Sequence, residues 1–194
     1  MVKFNACNHQ YTANGEIIPS VTQVLSSLND FSSITPDVLE NASQRGTAIH
    51  AMVDLYINKK LDLSALDARL YGRLAAWIEF TNLYLPNIIG CEKLVYSAKH
   101  GFAGTLDIVC LLEGKLSLID IKSSKAAAST ANLQLAGYQI AYEEMVGVKV
   151  SRRMAVILKD DGKFEVLEYK CKLDKKAFLK LLKDNKNEKR AKND

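Results

Sequence analysis

In the run Leu116-Ser117-Leu118-Ile119-Asp120-Ile121-Lys122, an acid and a lysine stand two positions apart in an otherwise apolar stretch. Strand alternation puts Leu118, Asp120 and Lys122 on one face and Ile119 and Ile121 on the other. Burying an unpaired charge is prohibitive, so the pair needs partners or water. Taken alone, Asp-x-Lys reads as a salt bridge at a strand end. A second apolar run, Gly104-Thr105-Leu106-Asp107-Ile108-Val109, brings another carboxylate thirteen residues before Asp120. Glu113-Gly114 between the runs is a hairpin signal, so the two acids can face each other across paired strands. Two carboxylates at close range repel, and one holds a proton unless a cation lies between them. A hard divalent ion suits such a site, and Mg²⁺ binds through one or two carboxylates, waters and substrate phosphate. An ammonium beside it can stabilise developing negative charge or help activate an attacking water. This is the chemistry of metal-assisted phosphodiester hydrolysis.

Gly104-Thr105-Leu106-Asp107 followed by Asp120-Ile121-Lys122 resembles the PD-(D/E)XK nuclease signature. More specifically it is similar to the RecB-like exonuclease branch, with its mitochondrial genome maintenance and phage exonucleases. Arg45-Gly46-Thr47-Ala48-Ile49-His50 resembles that branch's upstream helix, whose histidine is a metal ligand. Ser123-Ser124 follow the lysine as small hydroxyl residues do in the family, and Gln134 and Tyr138 match its Gln-x-x-x-Tyr element. Those two lie one helical turn apart on a shared face, within reach of one phosphate or metal-bound water. Alone, Tyr138 would read as a packing residue beside Leu135 and Ile140.

The resemblance covers about residues 43 to 142. It implies an α/β restriction-endonuclease-like core, a mixed central sheet flanked by helices. It implies a Mg²⁺- or Mn²⁺-dependent deoxyribonuclease with Asp107, Asp120 and Lys122 as catalytic residues. His50, Asp107, Asp120 and the backbone carbonyl of Ile121 would hold metal, while Gln134, Tyr138, Ser123, Ser124 and Arg45 would meet the substrate. It also implies an exonuclease that acts on DNA ends or single strands in recombination, replication or repair, and leaves a 5′-phosphate and a 3′-hydroxyl. An endonuclease with the same site and a catalytically idle DNA-binding module are the alternatives. Two features depart from the pattern. Leu106 stands where the signature's name places proline, and only Cys171 follows Tyr138, where cluster-bearing relatives carry three cysteines. No iron–sulfur cluster is therefore expected. Glu92 is a weaker candidate, either supporting the metal site or pairing with Lys93 or Lys99.

The elements that must position these groups follow from periodicity. Ser20 to Leu28 is a short helical candidate after Pro19; Pro36 opens another helix, and Ala42 to Asn58 carries Ala48, Ile49, Met52, Val53 and Tyr56 at helical spacing. A third helix is expected from about Ala65 to Leu83, with Trp77 as its core anchor. Strands follow at Glu92 to Ser97, Thr105 to Leu112 and Leu116 to Lys122. After them come a helix from Ala128 to Met145, strands at Arg153 to Leu158 and Phe164 to Tyr169, and a helix from about Asp174. Helices, strands, helix, strands and helix in that order describe an α/β domain. One nuclease domain is expected over residues 1–194: a helical part to about 85, a catalytic core over about 90–170, and a C-terminal helix with a basic tail over 174–194.

The net charge of +4 resides at the C-terminal end: residues 175–194 hold eight Lys or Arg against three acids, and the rest is near neutral. A Lys-rich terminus of this kind reads as a solvated helix end, so charge alone does not argue for DNA. The longest apolar runs fall well short of the roughly 20 residues that cross a bilayer, and the first thirty residues are polar and interrupted. A soluble, cytoplasmic protein without a membrane partner is expected. Cys7, Cys91, Cys110 and Cys171 form no CxxC pair and read as reduced. Polarity, oligomeric state and any replication or recombination partner leave no mark in the sequence.

Overall fold

The computed structural model describes residues 2–5, 8–28 and 34–191, with side chains through 187, so Cys7 and the end of the basic tail lie outside it. Five strands form a mixed sheet in sequential order: β4 (Asn87–Ser97), β5 (Phe102–Leu112), β6 (Lys115–Lys122), β7 (Arg152–Leu158) and β8 (Phe164–Glu168). All neighbours are antiparallel except β6 and β7, which the helix α4 (Ala131–Val146) joins as a parallel crossover. Glu113 and Gly114 close the β5–β6 hairpin with φ of 51° and 73°, the left-handed pair that a two-residue turn of matching twist requires.

Helices cover both faces. On one side α1 (Val21–Leu25), α4 and α5 (Leu173–Ala191) bury Val21, Leu135, Tyr138 and Phe178 against Val95, Leu106, Val109 and Leu118. On the other, α2 (Pro36–Ile57) and α3 (Tyr71–Tyr84) bury Ile49, Met52, Trp77 and Phe80 against Ile108, Ile119, Ile121 and Val156. The alternation expected for β6 is observed, with Leu118 in the first core and Ile119 and Ile121 in the second. Each fully buried side chain of this kind contributes about 1.5–3 kcal/mol. Among the described residues no helix is long and apolar enough to cross a membrane.

Several boundaries differ from those expected. The two candidate segments around Pro36 and Ala42 are one helix of 22 residues; only Ile49, Met52 and Val53 are buried, so its first turns carry no apolar period to read. The third helix starts later, at Tyr71, because Asp67 accepts the Arg69 N–H and opens a 3₁₀ turn over Ala68–Leu70. α4 likewise starts at Ala131, after a looser segment in which the Ser124 hydroxyl accepts the Ala127 N–H. The N-terminal part is not wholly helical: β1 (Val2–Asn5), β2 (Gln10–Ala13) and β3 (Glu16–Ile18) form a separate antiparallel sheet.

Candidate active site

β5 and β6 stay paired only as far as Ile108 and Ile119. The next pair in that register would be Asp107 and Asp120, but there the strands part. Asp107 Oδ2 takes up the slack by accepting the Ile121 N–H at 2.7 Å. The edge of β5 that β6 leaves open is filled by the segment entering α1: the Ala103 N–H donates to the Pro19 carbonyl at 3.1 Å, and Ser20 bridges Ala103 in parallel. Leu106 and Ile108 pack in opposite cores, so side-chain alternation breaks at Asp107. The two acids therefore lie in an opening between strands.

His50 reaches this opening from α2, whose Ile49, Met52 and Val53 anchor it on the sheet. Its Nδ1 is 3.4 Å from Asp107 Oδ2 and 3.9 Å from Glu92 Oε1. Ligating atoms of His50, Glu92 and Asp107 all lie within 4.8 Å of one another. The cavity they line with Asp54, Cys91 and Ile121 has a volume of about 10 Å³, room for roughly one water-sized particle. Glu92 stands mid-strand in a left-handed backbone conformation, φ 44°, which costs a non-glycine residue about 1 kcal/mol or more. Its ion-pair partner among the described residues is His50, not Lys93 or Lys99.

Asp120 comes from β6, where the Asp107 charge reaches it. It is fully buried, and Lys122 Nζ sits 2.9 Å from its Oδ2 as an ionic contact; neither carboxylate oxygen takes part in an aligned hydrogen bond. Lys122 Nζ donates instead to Gln134 Oε1 at 3.0 Å, and Gln134 Nε2 donates to the Tyr138 hydroxyl at 3.2 Å. Tyr138 packs against Gly104, where an added Cβ would come within 2.7 Å of its ring. The glycine before Thr105 thus makes room for the tyrosine one turn beyond Gln134.

The electrostatics follow from this arrangement. Burial pushes the Asp120 carboxyl up to about 6, with Asp107 adding to the rise and Lys122 opposing it. Burial also works against an ionised Asp107, but His50, Lys122 and the Ile121 N–H hold its carboxyl below the usual range. Burial works against a charged His50 too; Asp107 and Glu92 override it and push the imidazole to about 10. Lys122 is held charged, against burial, by Asp120 and Asp107. Burial and the same two acids push the Tyr138 phenol well above its ordinary value. The site thus offsets three carboxylates with protons on imidazole and amine. A divalent cation fits the donor set: carboxylate oxygens and one imidazole converge on a small cavity, and buried Asp120 oxygens lack hydrogen bonds of their own.

The remaining expected residues are placed as follows. His50 meets Asp107 and Glu92 rather than Asp120, although the Asp120 charge reaches its ring. Ile121 is fixed by its N–H to Asp107. Gln134 and Tyr138 bond to Lys122 and to each other and are almost wholly buried. The Ser123 carbonyl accepts from Arg73 Nη1 at 3.1 Å, and Ser124 caps the turn after β6. Arg45 is exposed on α2 and has no ion-pair partner among the described residues. Arg73 went unnoticed in the sequence. Buried on α3, it bonds the carbonyls of Ser123 and Leu158 and pairs with Asp160 at 2.5 Å, tying together the ends of β6 and β7 beside Lys122. Its signal was an arginine flanked by the core residues Leu74, Ala76 and Trp77.

No family model and no curated protein matches the chain. Solved structures do. A protein from Eubacterium rectale assigned as an exonuclease is similar with a TM-score of 0.52 at 11% identity, over 74% of this chain. The chain spans 65% of that protein's length. An alkaline exonuclease from Laribacter hongkongensis aligns over 77% of this chain and 92% of its own, at 14% identity and a TM-score of 0.34. The five-stranded mixed sheet with helices on both faces is the α/β architecture expected, and the first of these likenesses shows that the chain shares the fold of that solved structure.

Proposed function

We propose that the protein is a divalent-metal-dependent nuclease that hydrolyses phosphodiester bonds in DNA. The observation that carries this reading is the meeting of buried Asp107 and Asp120 with Lys122 and His50 in one opening between β5 and β6. Asp107, Asp120 and His50, with Glu92 as a fourth donor and the Ile121 carbonyl within the same turn of strand, would hold Mg²⁺ or Mn²⁺. Such an ion polarises a phosphoryl oxygen and lowers the pKa of a bound water. Lys122, kept charged by two acids and aimed by Gln134, places an ammonium where negative charge grows on the phosphate, or beside the attacking water. Ser123, Ser124 and Arg45 lie at the exit of β6 and along α2 as contacts for the substrate backbone.

In its finer form the proposal is an exonuclease that acts on DNA ends or single strands, in recombination, replication or repair. The likeness in fold to one protein assigned as an exonuclease supports it. Linear and covalently closed circular substrates, incubated side by side with Mg²⁺, test this directly. Linear DNA should be degraded and closed circles spared; efficient cutting of circles would make the protein an endonuclease with the same site.

A further inference from the structure

The small N-terminal sheet stands against the opening that holds the carboxylates. Pro19 and Ser20, which leave β3, lie on the β5 edge vacated by β6. The Tyr11 hydroxyl of β2 is 2.8 Å from Thr105 Oγ1, two residues before Asp107, and the Glu92 charge reaches the same phenol. Tyr11 is 2% exposed, so its face of the small sheet is turned toward β5.

That face continues outward as a run of aromatic rings. Phe4 sits directly opposite Tyr11 in the β1–β2 register, with ring centroids 4.7 Å apart. The His9 imidazole, in the turn that leads into β2, meets Phe4 edge-on at 5.1 Å and Tyr11 at 6.1 Å. Exposure rises along the run: Tyr11 is buried, whereas Phe4 is 38% exposed and His9 is open to solvent. His9 holds this place with φ 51°, a left-handed conformation that a non-glycine residue adopts at a cost. Among the described residues of the sheet Glu16 is the only carboxylate, and it pairs with Ala13 at the end away from His9. The aromatic end therefore carries no negative charge of its own sheet to repel a phosphate chain.

We propose that Phe4 and His9 form a stacking platform for a nucleobase of the strand whose phosphates enter the site, with buried Tyr11 fixing the platform to β5 beside Asp107. This rests on the nuclease reading and names the part of the substrate that the N-terminal sheet holds. Every base presents a π-face, so such a contact adds affinity without demanding sequence. It would hold a base while Lys122 and the metal donors act on the backbone.

The test uses the full chain with Ca²⁺ in place of Mg²⁺ to suppress turnover, and fluorescence anisotropy of an end-labelled single strand. A matching strand carrying abasic residues near its end is the comparison. The wild type should bind the abasic strand about tenfold more weakly, the scale of one base–aromatic stack. Phe4→Ala with His9→Ala should bind the normal strand about tenfold more weakly and no longer distinguish the two strands. Phe4→Trp retains an aromatic ring; its emission should be quenched by the normal strand and not by heparin, a polyanion without bases. Unchanged affinity in the double variant, or an unquenched tryptophan in a protein that binds DNA, would reduce the cluster to the packing of a small sheet. Failure of the wild type to bind DNA at all would overturn the nuclease reading along with the platform.

Discussion

Replacing Gln134 with leucine removes the tether on Lys122 without opening a large hole. In the wild type Gln134 Oε1 accepts from Lys122 Nζ at 3.0 Å and Gln134 Nε2 donates to the Tyr138 hydroxyl at 3.2 Å. The variant leaves a partly buried ammonium with Asp120 as its one close ion-pair partner and deprives the Tyr138 hydroxyl of its donor. A hydrogen bond to a charged group is worth about 1.5–3 kcal/mol, and part of that loss falls on the placement of Lys122. At about 1.4 kcal/mol per factor of ten, kcat should fall roughly 10- to 100-fold. KM should move by less than about threefold, because Gln134 is 9% exposed and both its polar atoms are committed to protein partners. Gln134→Glu keeps an acceptor for Lys122 and should recover most of the loss. Steady-state cleavage of a labelled single strand gives kcat and KM separately, with thermal melting as a check on folding. A raised KM at unchanged kcat would refute the tether and make Gln134 a direct substrate contact, as its place in the Gln-x-x-x-Tyr element first suggests.

His50→Ala removes the one nitrogen donor of the site. Titration calorimetry should show Mn²⁺ affinity reduced by about tenfold or more. His100→Ala should bind Mn²⁺ as the wild type does, and equal affinity in all three proteins would place the ion elsewhere. Gly104→Ala drives a Cβ to 2.7 Å from Tyr138 and 3.3 Å from Val21, an overpacking that costs about 1–3 kcal/mol. Its melting temperature should fall by roughly 5 °C; an unchanged value would mean that Tyr138 can move at no cost. Despite burial, Glu143 is held below its ordinary pKa by Lys175, the Val150 N–H and Gln139. A depressed folded-state pKa gives stability that is present above the unfolded value and lost as the pH falls through the folded one. Thermal melts of Glu143→Gln against the wild type should show a gap at neutral pH that closes as the pH drops below about 4, and a gap that widened instead would reverse the sign.

The central sheet was legible because its strands are strongly patterned, and because Glu113-Gly114 supplies the turn that sets the β5–β6 register up to Ile108 and Ile119, one step short of the two acids. The candidate site was legible where its residues recur together, at Asp107, Asp120, Lys122 and His50. It was less legible where geometry decides. The sequence pattern puts Glu92 at a strand start, but β4 begins at Asn87, and the turned backbone at Glu92 leaves no trace in residue types. The Gln-x-x-x-Tyr spacing points Gln134 at the substrate, and no residue type announces that its side chain accepts from Lys122. The N-terminal sheet did carry a signal, since Asn14-Gly15, with φ of 53° and 89°, is a hairpin pair between short strands. Strands of three or four residues with mixed polarity give too little alternation to read beside it.

Digestion of end-labelled single- and double-stranded DNA, read at nucleotide resolution with Mg²⁺ or Mn²⁺ and with EDTA, tests metal-dependent cleavage at this site most directly. The wild type should produce short products only when metal is present, and Asp120→Ala, which removes the buried carboxylate beside Lys122, should produce none. Absence of metal-stimulated cleavage on either substrate, or cleavage that survives both EDTA and Asp120→Ala, would contradict a metal-dependent nuclease at this site.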